Sequence, residues 1–139
     1  MAHTNPRHNN LPEFELFLLS DGEKKITETV FTGMSNTSDF ILKKEDHTLG
    51  HLLSTFLKQD PHVLMAGYKI GHPNVPEVLI RLQTDGTITP KEALVKVCRQ
   101  LVKLYGQLGS EFQKEYALRQ YADRTEQNNG GNANGMSKP

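Results

Sequence analysis

Twice along this chain the spacing of apolar residues changes from short strand-like runs to a helical period. Residues 13–19 (EFELFLL) crowd bulky apolar side chains into a run stopped by Ser20, Asp21 and Gly22, which predicts a strand entering a turn. A weaker extended stretch covers residues 26–32, and residues 39–44 (DFILKK) predict another strand. The period then becomes helical, with Leu49, Leu52, Leu53, Phe56 and Leu57 at i, i+3, i+4, i+7 and i+8. Asp46 precedes this stripe as an N-cap, and Asp60-Pro61 ends it, because the residue before a proline is pushed out of helical geometry. Gly50 costs the helix about 1 kcal/mol relative to Ala, which a close approach of another backbone there would explain.

Residues 63–70 (VLMAGYKI) and 77–84 (EVLIRLQT) are strand-length runs joined by a Gly/Pro loop and predict an antiparallel hairpin. In the second run Val78, Ile80 and Leu82 share one face and Leu79, Arg81 and Gln83 the other, so one face is core and the other mixed. Thr89-Pro90-Lys91-Glu92 is a capping box with its proline at the first helical position. Leu94, Val97, Cys98, Leu101, Leu104, Tyr105, Leu108 and Phe112 then keep helical spacing, with Val102 and Tyr116 widening the stripe. The order of elements predicts an α+β, two-layer sandwich: an antiparallel sheet against two helices, the second of them long.

That long helix argues for a partner. About 33 residues at 1.5 Å each span ~50 Å, against a diameter of roughly 35 Å for a compact domain of this size. Leu108, Phe112 and Tyr116 lie far along it, and each large side chain left in water forgoes roughly 1.5 to 3 kcal/mol. The alternative is a break at Gly106 or Gly109 that folds the helix back as a hairpin.

Composition narrows the classes. The chain has 139 residues, enough for one domain, with 16 basic and 16 acidic residues and a net charge of zero. A self-sufficient nucleic-acid binder carries a basic excess, so no direct sequence-specific nucleic-acid contact is expected. No apolar run approaches the ~20 residues that span a bilayer, and the start of the chain has no apolar signal core. With Cys98 the only cysteine, no intrachain disulfide forms, which suits a reducing compartment. Residues 1–10 and 125–139 are rich in Asn, Gly and other polar residues and are expected to be disordered tails around a single domain over residues 11–124.

Three blocks carry a resemblance. Lys44-Glu45-Asp46-His47-Thr48-Leu49-Gly50, then Ala66-Gly67-Tyr68-Lys69 with His72-Pro73, then Arg81-Leu82-Gln83-Thr84 resemble, in order and spacing, the small alpha-like subunits of archaeal and eukaryotic RNA polymerases. The opening Phe14-Glu15-Leu16-Phe17-Leu18-Leu19, followed by Gly22-Glu23-Lys24-Lys25-Ile26, is similar to the polymerase II branch; the alternatives are the branch shared by polymerases I and III and a self-associating adaptor. The resemblance implies an alpha-subunit-like dimerisation fold and a non-catalytic nuclear subunit. It would pair with the larger alpha-like subunit and, through it, carry the large catalytic subunits. No cofactor and no small-molecule substrate are implied. The expected partner contacts are Leu49, Leu52, Leu53, Phe56, Leu101, Tyr105, Leu108 and Phe112.

Other chemistry is weaker. His47 and His51 have the spacing of two zinc ligands but lack the Glu that a metalloprotease helix uses as base, so capping or packing histidines are the simpler reading. His72 reads as a loop residue holding the hairpin, and Cys98, on the apolar stripe, as a small buried hydrophobe. Neither a phosphate-binding loop nor an acidic cluster suited to nucleotidyl transfer is present in the sequence.

Overall fold

The computed structural model describes residues 16–130, with side chains through Gln127. Its elements are β1 (Ile26–Val30), β2 (Thr37–Lys43), α1 (His47–Leu57), β3 (Val63–Ile70), β4 (Glu77–Thr84) and α2 (Pro90–Gly130). The strands form one antiparallel sheet in the order β1-β2-β4-β3, so the expected hairpin is β3–β4 and the class is α+β.

One predicted strand does not appear among the described residues. Of residues 13–19 only 16–19 are described; they form no strand, and Leu16, Phe17 and Leu18 are exposed. An apolar run becomes a strand only where a neighbour completes its ladder, and here the chain instead enters a turn closed by the Glu23 N–H donating to the Ser20 carbonyl.

Register explains which sheet face is core. Phe40 stands opposite Ile80, Leu42 opposite Val78 and Ala66 opposite Leu82, and all six are buried on the face that α1 covers through β3 and β4. The other face carries Asp39, Ile41, Leu79 and Arg81. Asp39 and Arg81 are direct cross-strand partners joined by two hydrogen bonds of 2.7 Å, with the guanidinium 3.8 Å from the centre of the Phe31 ring. That pairing holds the Asp39 carboxyl below its usual range.

Local chemistry sets the helix starts. Lys44 leaves β2 in the left-handed region at φ 56°, its N–H donating to the Pro76 carbonyl, and turns the chain towards α1. Asp46 then caps α1, its carboxylate accepting from the Thr48 N–H at 2.9 Å. At α2 the capping box forms as expected: the Thr89 N–H donates to Glu92 at 2.8 Å and the Glu92 N–H to the Thr89 hydroxyl at 3.2 Å.

α2 does not break at Gly106 or Gly109. It also runs through residues 125–130, expected as part of a tail; the Thr125 hydroxyl donates to the Tyr121 carbonyl one turn back, and residues 125–127 contain no helix breaker. The expected tails over residues 1–10 and 131–139 lie outside the described residues. Backbone packing divides the chain into two compact units, one ending at Cys98 and the other beginning at Arg99.

Candidate partner interface

α1 carries two adjacent apolar stripes. Gly50, Leu53, Ser54 and Leu57 are buried, at the spacing of the helix face that meets the sheet. Leu49, Leu52 and Phe56 flank them and remain half-buried. Leu53, expected as a partner contact, is 4% exposed and belongs to the chain's own core. The period of a helix identifies its apolar side; it does not divide that side between the protein's own sheet and a second chain.

The same division runs along α2. Ala93, Leu94, Val97 and Leu101 are buried, so Leu101 is likewise a core residue and not an open contact. From Val102 through Gln127 every residue is exposed. Leu104, Tyr105, Leu108, Phe112 and Tyr116 nevertheless continue the apolar stripe beyond the last buried residue, and the Phe112 and Tyr116 rings stack with centroids 6.2 Å apart. Monomeric surfaces seldom carry so many large apolar side chains in one row. Salt bridges Lys114–Glu111 and Arg119–Asp123, at i,i+3 and i,i+4 spacing, lend the helix local support. Of the expected contacts, Leu49, Leu52 and Phe56 on α1 and Tyr105, Leu108 and Phe112 on α2 are accessible. Leu104 and Tyr116 were legible as stripe members but were not singled out as contacts.

The histidines have partners of their own. His47 Nδ1 lies 3.1 Å from the Tyr68 hydroxyl, with the rings edge to face, and His51 Nδ1 lies 3.1 Å from the Thr55 hydroxyl. Among the described residues no three His, Cys, Asp or Glu gather around a point where a metal could sit. His72 holds its loop, Nδ1 accepting from the Asn74 N–H at 3.2 Å. Cys98 is exposed, which corrects its placement in the core: the buried arc is the one through Leu94, Val97 and Leu101, and Cys98 stands beside it. Partial desolvation pushes its thiol pKa up, away from a reactive thiolate.

A polar network links the turn after α1 to the root of α2. Asp60, nearly buried, pairs with Lys96 at 2.6 Å and accepts from the His62 N–H at 3.0 Å. His62 Nδ1 meets both Asp85 Oδ2, at 3.0 Å, and the Thr87 hydroxyl, at 2.8 Å. A Ser-His-Asp relay uses both ring nitrogens, whereas here one nitrogen serves both neighbours, so the cluster fastens loops and does not activate a nucleophile. No signal in the sequence brought these residues together, because they come from two separate connections and from α2 itself.

Comparison with known proteins supplies the context. The sequence model of the RNA polymerase Rpb3/Rpb11 dimerisation domain matches residues 37–111. The Dictyostelium discoideum protein named DNA-directed RNA polymerase II subunit rpb11 is 39% identical over 104 residues, covering 74% of this chain and 87% of its own. A Caenorhabditis briggsae protein named as a probable RNA polymerase II subunit RPB11 is 46% identical over 89 residues, 64% of this chain and 72% of its own. The crystal structure of RNA polymerase subunit L from Thermoplasma acidophilum superposes with a TM-score of 0.57 at 28% identity, covering 70% of this chain and 96% of that one.

Proposed function

This chain belongs to the RNA polymerase Rpb3/Rpb11 dimerisation family, and from that premise we propose that it serves in the nucleus as the smaller alpha-like subunit of RNA polymerase II. It pairs with the larger alpha-like subunit and contributes no catalytic group; the pair is the platform on which the large catalytic subunits assemble. The observation that carries this reading is the continuation of the apolar stripe on α2 beyond Leu101, where burial stops and Leu104, Tyr105, Leu108, Phe112 and Tyr116 stay exposed. Such a row is stable in water when a second helix covers it, each covered side chain contributing roughly 1.5 to 3 kcal/mol. Leu49, Leu52 and Phe56 add a second accessible apolar set on α1. The polymerase II branch is supported by the printed names of the relatives.

Affinity purification of the tagged chain from its own cells tests the reading. Recovery of the larger alpha-like subunit with the polymerase II large subunits is the expected result. Recovery of polymerase I and III subunits would move the chain to the sister branch, and recovery of neither would overturn the proposal.

A further inference from the structure

Among the described residues the outer edge of β3 is open: β3 ends the sheet order, and no backbone hydrogen bond outside the sheet ladder involves residues 64–70. Beside that edge, on the sheet face opposite the one α1 covers, lies a hollow of about 430 Å³ lined by Met65, Gly67, Tyr68, Lys69, Leu79 and Arg81. A Cβ built on Gly67 would meet nothing within 4 Å, so there is room over its backbone for a large side chain. Arg81 is already held by Asp39, whereas Lys69 is exposed and joins no ion pair among the described residues. The edge therefore asks for an extended segment with a bulky apolar residue opposite Gly67 and a carboxylate opposite Lys69. Residues two apart on a strand share a face, so these must stand at i and i+2.

The chain's own leader has that pattern. Leu16, Phe17 and Leu18 are each more than half exposed and have no strand partner among the described residues, and their spacing predicts a strand. Laid antiparallel on β3, Phe17 falls opposite Gly67, Glu15 opposite Lys69 and Leu19 opposite Met65. On the other face Leu18 then meets Ala66, Leu16 meets Tyr68 and Phe14 meets Ile70, so every cross-strand pair is apolar except the one ion pair. A slip of one residue would reverse both faces and destroy the match. Phe14 and Glu15 lie outside the described residues and enter through the sequence alone. The pairing would stop at Leu19, just before the bulge between Val63 and Met65.

The leader cannot reach its own β3 in this register. The Lys25 carbonyl accepts from the Lys43 N–H, which places Lys25 beside β1 at the Glu77 end of β4, while Met65 stands opposite Gln83 at the other end. Crossing four strand spacings of ~4.8 Å and ~20 Å along the strands requires ~28 Å. Residues 19 to 25 span at most ~21 Å even when fully extended.

We propose that the leader strand, residues 14–19, adds to the β3 edge of a second copy of this chain, making a self-associated form of the unpaired subunit through residues other than those of the α2 apolar stripe. Sedimentation velocity on the full chain over a range of concentrations tests it. Concentration-dependent association is expected, with Glu15→Lys and Lys69→Glu each weakening it about tenfold or more, because like charges then face each other. The double variant Glu15→Lys/Lys69→Glu should restore it. Circular dichroism reports whether each variant keeps its fold. As a second measurement, Glu15→Cys and Lys69→Cys on separate copies, both carrying Cys98→Ser, should form an intermolecular disulfide on mild oxidation. Leu16→Cys in place of Glu15→Cys should not, because it points to the opposite face. A chain that stays monomeric throughout, or whose association ignores both reversals, or a disulfide that forms equally from position 16, would overturn the proposal. A failure of pairing with the larger alpha-like subunit would leave these outcomes unchanged, so the two readings fall separately.

Discussion

The first turn of α1 rests on the ring of Tyr68: a Cβ built on Gly50 would stand 2.6 Å from Tyr68 Cδ2. The close approach that Gly50 permits is therefore to a side chain and not, as its place in the helix first suggested, to another backbone. Gly→Ala in a helix interior normally stabilises by about 1 kcal/mol. At Gly50 the added methyl must displace a ring that also meets His47, so Gly50→Ala is expected to destabilise by about 1–2 kcal/mol. With Tyr68→Ala already in place the same change should be neutral or stabilising. Urea unfolding of the four proteins of this cycle measures both effects.

Asp85 gives the fold an acid-sensitive fastening. Hydrogen bonds from the Thr87 hydroxyl and Thr87 N–H, then from His62, lower its pKa from 3.8 to about 2. A carboxylate depressed in the folded state stabilises fully above its unfolded value, and that contribution is lost as pH falls through the folded value. Stability should therefore decline from about pH 4 towards pH 2, and Asp85→Asn should flatten that part of the profile. Asp60, lowered chiefly by Lys96, acts in the same direction. Thermal unfolding of wild type and Asp85→Asn across this range decides the matter.

Leu53 and Leu108 belong to one sequence pattern and to different physical roles. Leu53→Ala removes a buried side chain and should cost about 2–5 kcal/mol of stability. Leu108→Asp with Phe112→Asp alters exposed positions, so the unfolding midpoint should barely move while binding to the larger alpha-like subunit weakens by tenfold or more. Co-purification and denaturant titration of both variants separate the two effects. Intact binding by the Asp pair would remove this part of α2 from the interface.

Hydrogen exchange along α2 should show a boundary. Leu101 is the last buried residue, and beyond it the helix has only its own hydrogen bonds, so amide protection is expected to drop within a turn or two of Val102. Addition of the larger alpha-like subunit should restore protection up to at least Phe112. Uniform protection in the free chain would show that α2 is stable without a cover.

Local signals were the most legible. Asp46 and the Thr89–Glu92 box are short-range chemistry, complete within four residues, and the structure places both where the sequence predicts. Alternation in β4 likewise identified Val78, Ile80 and Leu82 as core, because one face of a sheet beneath a helix must be apolar. What could not be read depends on distant pairing. Asp39 and Arg81 meet only because β2 and β4 are neighbours, and neither sequence run announces the other. Leu53 and Leu101, expected at a partner, are buried within the chain itself for a related reason, since helical period is blind to which body covers a stripe. Residues 16–19 have the composition of a strand but pair with no strand among the described residues.

Gly106 and Gly109 sit in the exposed length of α2 with nothing within 4 Å of where a side chain would begin. Each lowers local helix stability by about 1 kcal/mol relative to Ala, in the stretch that has no packing of its own to compensate. Limited proteolysis of the free chain is therefore expected to cut first around Gly106 and Gly109, where opening of the helix costs least, and a bound partner helix should suppress those cuts.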